Sequence, residues 1–252
     1  MIVEQIYANN VFFRKKMFEK YKLEEYYDKN KPAIFNGIYD DVDFDSLKNH
    51  TSYKIVVWCG TDAQKLINFP KNIEIIKSLK DIKHISKSHF VYESLLKCGI
   101  ESEIIPVTPT KIIKNRQDRG DKIYFYTSNS LRKKERYGQS LLPKIKERIN
   151  MEIIEAYHTK YNSEELNNIY KQCFIGLRLT KHDGLPNTVV ELGLMGRKCI
   201  YNGKLPNAIP YKNIDDIIRI INEEYEKRHK DNEYIVDEVF NYLNIDDSWM
   251  KI

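Results

Sequence analysis

The sequence predicts an α/β protein of two lobes, each a parallel sheet covered by helices. Three observations carry that expectation. Short apolar runs rich in β-branched and aromatic residues alternate with helical patterns along the chain. A polar stretch behind a proline pair interrupts the alternation near its middle. The segment 176–203 has the strand–loop–helix–strand layout that forms ligand-binding edges in such sheets.

In chain order, strands are expected at 33–38, 53–58, 84–85, 103–107, 122–126, 151–156, 174–179 and 198–201. Ahead of them lies an amphipathic helical pattern. Phe13, Met17 and Tyr21 share one face, and Arg14, Lys15, Lys16, Lys20 and Lys22 crowd the others. Such a basic helix packs on a core or rests peripherally on an anionic membrane surface. Glu19, Glu24 and Glu25 dilute its charge and favour the core. Further helices are expected at 90–97, at 139–149, and at 163–173, where Ser163 serves as N-cap ahead of Glu164 and Glu165. The stretch 188–195 is apolar on most faces and stops at Gly196, as a buried helix does. In the tail, Ile217, Ile218, Ile221 and Tyr225 recur at helical spacing over 214–230, and a second short helix is expected at 233–243 before Trp249.

Pro106 and Pro109 close a strand, and 110–121 then offers Lys111, Lys114, Arg116 and Arg119 with few apolar residues. This stretch reads as a linker between an N-terminal lobe, 1–115, and a second lobe, 116–222. A helical tail, 223–252, is expected to cross back to the first.

The remaining numbers exclude more than they assign. With 252 residues, 42% hydrophobic, the chain is too apolar for disorder, and it holds no run able to span a membrane. The opening MIVEQIYANN lacks the layout of a secretory signal, so a cytoplasmic protein is expected. Cys59, Cys98, Cys173 and Cys199 have no paired spacing and read as reduced thiols. A net charge of +5 suits anionic partners without demanding one.

The chemistry concentrates in 176–203. A helix starting near Asn187 or Thr188 presents unpaired amides at the positive end of its dipole, a seat for phosphate. Arg178 and Lys181 are near enough in sequence to assist, and Glu191, one turn in, suits the hydroxyls of a sugar or ribose.

These residues resemble the retaining glycosyltransferases of GT-B fold, the large family-four group. That group carries an acid, seven residues, then Glu. Asp183, seven residues, and Glu191 fit the frame, with Gly184-Leu185-Pro186-Asn187 after the first acid and 195–200 matching the following turn and strand. The resemblance implies that Asp183 binds hydroxyls of the transferred sugar, Glu191 the ribose, and the amides around Asn187 and Thr188 the diphosphate. It further implies a nucleotide-sugar donor such as a UDP-sugar, retention of configuration, and neither metal nor cofactor. Asp stands where Glu is usual, which leaves the sugar open. His182, beside Asp183, is a candidate second-layer or acceptor-facing group.

In the first lobe, 56–62 (Val-Val-Trp-Cys-Gly-Thr-Asp) resembles the family's strand ending in His-Gly-Ser/Thr-Asp, with Cys59 at the histidine position. The stretch 9–14, including Arg14, resembles an abbreviated glycine-rich first loop. The family's Gly-Arg after the first strand of the second lobe is absent; Ser128 or Asn129 stands there, and Lys133, Lys134 or Arg136 either substitutes or belongs to a solvated charge run. The length suits a short, viral or phage-like member with an abbreviated N-terminal lobe. The acceptor, whether glycan, lipid, protein or nucleic acid, stays open. Two rival readings are a DNA-directed transferase or nucleic-acid binder, from the basic runs at 111–119 and 132–136, and a GT-B module that binds nucleotide without turnover, from Cys59 and the missing Gly-Arg.

Overall fold

The structure is a computed structural model that describes residues 2–8, 11–109, 111–128, 135–156, 161–180 and 183–252; for 11–15 it describes the backbone only. It contains two parallel α/β sheets in two compact units. The first unit comprises Met1–Lys111, Asp183–Leu185 and Leu243–Ile252, and the second Ile112–His182 and Pro186–Tyr242.

In the first unit the elements run β1 (Gln5–Tyr7), α1 (Val11–Tyr21), β2 (Glu24–Glu25), β3 (Ala33–Asn36), α2 (Asp41–Asn49) and β4 (Lys54–Trp58). They continue with α3 (Thr61–Leu66), α4 (Pro70–Ser78), β5 (Ile82–Ser86), α5 (His89–Lys97) and β6 (Glu103–Ile104). The six strands pair in parallel in the order β2-β1-β3-β4-β5-β6. Both faces of the central strands are covered, which is why β4 reads as an unbroken apolar run. Val56 and Trp58 enter one core with Phe35, Leu47 and Leu95. Ile55 and Val57 enter the other, with Met17, Tyr21, Trp249 and Met250. Helix α1 therefore buries Met17 and Tyr21 in a protein core.

The second unit holds β7 (Lys122–Tyr126), a 3-10 turn at Gln139–Leu141, α6 (Leu142–Lys146), β8 (Ile153–Ala156), α7 (Ser163–Lys171) and β9 (Cys173–Leu177). Then come α8 (Asn187–Leu194), β10 (Lys198–Ile200), β11 (Ala208–Ile209), α9 (Ile214–Glu226) and α10 (Glu233–Leu243). The strand order is β11-β10-β9-β7-β8, again parallel throughout. Its core joins Ile123, Phe125, Phe174 and Leu177 to Ile217, Ile218 and Ile221 of α9.

Three short strands, β1, β2 and β11, were not anticipated from the sequence, and neither were helices α2, α3 and α4. The cap of α7 is Asn162 rather than Ser163: its side chain accepts the amides of Glu164 and Glu165, while Glu165 returns a carboxylate to the Asn162 amide. Gly196 ends α8 with φ +83, a left-handed stop. The chain between β6 and β7 is irregular, and three of its cations make contacts within the second unit. Lys114 pairs with Asp237 at 2.5 Å, Arg116 reaches Asn232 at 3.1 Å, and Arg119 lies 3.7 Å from Glu224. Fully buried Arg197 donates to the carbonyls of Gln117, Asp118, Cys173 and Met195. Lys114, Arg116 and Arg119 thus tie this segment to α9, to α10 and to the residue before α10.

The segment beyond α10 returns to the first unit. Val3 donates to Met250, Ile2 bridges to Lys251, and Trp249 packs edge-on against Tyr21 with ring centroids 5.4 Å apart. Among the described residues no helix is long and apolar enough to cross a membrane.

Candidate active site

In the second unit, the carboxyl ends of β7 and β9 and the start of α8 bring several of the expected residues together. Helix α8 begins after Pro186, which supplies no side-chain cap. The amides of Val189 and Val190 both turn back to the Pro186 carbonyl, so the preceding amides of Asn187 and Thr188 open the helix without an intrahelical acceptor. Such a start is an anion seat by construction.

Glu191 stands one turn further on, and its carboxylate accepts the Tyr170 hydroxyl of α7 at 3.0 Å. Tyr170 packs edge-on against Tyr124 of β7, centroids 5.0 Å apart, and the Tyr124 hydroxyl donates to the Ala156 carbonyl. Burial, then the Glu191 charge, raises the Tyr170 phenol well above its ordinary range, so it stays a donor at every working pH.

Arg178 follows β9 and is buried, its amide donating to Ile200 at 3.0 Å. Its guanidinium lies over the rings of Tyr126, at 3.7 Å, and Tyr137, at 4.5 Å, which are themselves edge-to-face at 4.7 Å. Two aromatic faces fix the plane of a permanent cation at the strand end. The charges of Arg178 and Glu191 both act on the Tyr124 phenol, in opposite directions. Ser128 is buried just past the end of β7. Beside it, the Thr127 hydroxyl donates to Gln139, which passes the chain on to Glu155.

Asp183 and Gly184 belong to the first unit. The Asp183 carboxylate accepts the Gly184 amide at 2.9 Å. A Cβ on Gly184 would stand 1.9 Å from the Cys59 carbonyl, so only glycine permits this approach. The Cys59 turn is itself clamped by the Asp62 carboxylate, which accepts the amides of Cys59 at 3.0 Å and Gly60 at 2.7 Å. The Cys59 thiol lies 3.6 Å from Asn36 and 3.5 Å from the Val57 carbonyl; burial raises its pKa, with Lys87 acting in the opposite direction.

Lys133, Lys181 and His182 lie outside the described residues, as does the side chain of Arg14. Sequence reasoning missed Tyr170, Tyr126 and Tyr137. Asp43 is buried and accepts the Tyr39 amide and the Tyr7 hydroxyl. Among the described residues no group of three or more His, Cys, Asp or Glu side chains is placed to hold a metal ion.

No family model matches the chain, and no curated protein matches it. Solved structures do. The N-terminal domain of Candida albicans trehalose-6-phosphate phosphatase aligns with TM-score 0.61 at 10% identity, over 96% of this chain and 71% of that one. HepE from Anabaena, solved with UDP and glucose, gives 0.54 at 10%, over 95% and 88%. The pneumococcal O-GlcNAc transferase GtfA, solved with UDP and GlcNAc, gives 0.53 at 13%, over 94% and 57%. The chain spans little more than half of some of these neighbours, 55% in a Glycosylation Associate Protein complex from Streptococcus agalactiae. At such identities the likeness establishes the fold, and by fold this chain is α/β of the GT-B class.

Proposed function

We propose that the protein transfers a glycosyl group from a nucleoside-diphosphate sugar, with UDP as the nucleotide, to an acceptor hydroxyl. The observation that carries this reading is the Tyr170–Glu191 bond beside the uncapped start of α8. A carboxylate held still by a neutral donor keeps acceptor capacity for a vicinal diol, one turn from amides suited to phosphate. The GT-B fold shared with HepE and GtfA, both solved with UDP and a sugar, supports the choice of nucleotide.

In this reading Glu191 accepts the ribose hydroxyls, and the Asn187 and Thr188 amides hold the diphosphate. Arg178 sets a positive charge near the group that gains charge as the bond to the anomeric carbon breaks. Asp183 binds hydroxyls of the sugar. The electron pair of the breaking C–O bond goes to the leaving phosphate oxygen. The acceptor oxygen forms the new bond on the same face, and its proton passes to that phosphate. Retention by this route needs no enzyme nucleophile and no metal.

Thermal shift and nucleotide release with a panel of UDP- and GDP-sugars test the reading. A stabilising shift with UDP and release of UDP from at least one UDP-sugar are expected. Silence across the panel, in both readouts, would sink it.

A further inference from the structure

Within the first unit, the loop that follows β2 and helix α2 enclose a groove of about 640 Å³, the size of a small-molecule site. Tyr26, Tyr27 and Asn30 line it from the loop, and Asp45, Ser46 and Asn49 from the helix.

Polar groups behind the groove hold both of its walls. Gln5 of β1, 1% exposed, accepts the amides of Tyr27 and Asp28 at 3.0 and 3.1 Å. The same carboxamide donates to the carbonyls of Asp28 and Lys31 at 2.6 and 2.9 Å. The Thr51 amide donates to the Lys29 carbonyl at 2.9 Å, and its hydroxyl to Asn30 Oδ1 at 2.7 Å. On the other wall Asp40 caps α2 through the Asp43 amide at 3.0 Å, and buried Asp43 ties the helix to Tyr7 and Tyr39. Tyr26 packs edge-on against Tyr7, centroids 5.7 Å apart. A loop and a helix fixed in this way are set before any ligand arrives.

The groups that line the groove are spent far less. Asp45 and Asn49, one helical turn apart, are exposed, and among the described residues their side chains make no hydrogen bond or ion pair. Asn30 accepts from Thr51 and keeps its two amide N–H donors. Tyr27 is 54% exposed, and Lys31 holds its hydroxyl at 3.1 Å. An aromatic ring, a carboxylate and two carboxamides match a ligand with one apolar face and several hydroxyls. The carboxylate accepts a hydroxyl proton, the amides both donate and accept, and the ring covers C–H groups. Asp45 repels a phosphate or carboxylate, whereas Lys29 and Lys31 on the loop oppose a cation. We propose that this groove binds a neutral sugar ring of a glycan, with Tyr27 as its platform and Asp45, Asn49 and Asn30 as its hydroxyl partners. The site stands on the first unit alone and does not depend on the glycosyl-transfer reading.

The full chain is titrated with maltotriose, mannotriose and tri-N-acetylchitotriose by NMR, as wild type, Tyr27→Ala, Asp45→Ala and Asn49→Ala. Tyr234→Ala, which removes a 50% exposed tyrosine of the second unit, is the control. Every replaced side chain is exposed, so all variants should melt as wild type does. Wild type and control should bind at least one trisaccharide, with affinity about tenfold weaker in Tyr27→Ala and Asp45→Ala and about threefold weaker in Asn49→Ala. No binding of any trisaccharide at roughly 10 mM overturns the proposal. Equal affinity in wild type, Tyr27→Ala and Asp45→Ala overturns it too, and so does binding of spermidine in place of the sugars, which would mark a cation site. Absence of turnover with every nucleotide sugar would remove the transfer reading and leave this one standing.

Discussion

At the carboxyl edge of the second unit's sheet, Glu191 and Arg178 are each braced by tyrosines. At the same edge of the first unit's sheet, buried Lys87 meets the Cys59 thiol. The first arrangement spends aromatic surface to hold charged groups still before any ligand arrives. The second turns a buried carboxylate, Asp62, onto the amides of its own turn. One edge is braced by aromatic rings, the other by a carboxylate held on backbone amides.

The largest effect should come from the loop that the first unit borrows. Asp183→Ala removes the proposed sugar contact, and kcat should fall about 10²–10³-fold while UDP affinity changes little; equal losses in both would remove the assignment of Asp183 to the sugar. Acid should separate the two units next. Trp58 donates its indole N–H to His84 Nδ1 at 3.2 Å, and burial lowers the His84 pKa to about 4. The unfolded chain, with a histidine near 6.5, binds the extra proton first, so stability is full above that value and falls as pH drops from about 6.5 towards 4. The first unit should lose about 2–3 kcal/mol across that window. Urea unfolding at several pH values measures it, and His84→Gln should flatten the slope. Glu191→Ala should weaken UDP binding roughly tenfold to thirtyfold, about 1.5–2 kcal/mol, by calorimetry. The smallest change, Tyr170→Phe, deletes only the brace, for which a threefold to fivefold loss of UDP affinity is expected, about 0.5–1 kcal/mol. An unaffected Tyr170→Phe would mean that the second edge is not preorganised in the way described.

Much of the fold is legible because buried parallel strands must be apolar on both faces. Lys54–Trp58 and Lys122–Tyr126 announce themselves in that way. β2 cannot, since it is two exposed glutamates that pair only because β1 offers an edge. α2 hides behind its acids; Asp40 caps it, and Leu47 carries most of its burial. The same logic divides the site. The spacing of Asp183 and Glu191 lies within one strand–loop–helix passage, so a local pattern displays it. That the chain hands Asp183 to the other unit is a tertiary fact. So is the arrival of Tyr170 from α7 at Glu191, and of Tyr126 and Tyr137 at Arg178. Lys87 resembles any other lysine until its burial is known.

The return of Leu243–Ile252 to the first unit also bears on the order of folding. During synthesis, residues 1–111 leave the ribosome without Trp249 and Met250, two members of one of their own cores. The stretch from 112 to 242 can therefore finish its packing while the earlier-made unit still waits for its closing piece. The first unit should therefore gain its full protection against amide hydrogen exchange last, a prediction that pulse-labelling exchange during refolding checks.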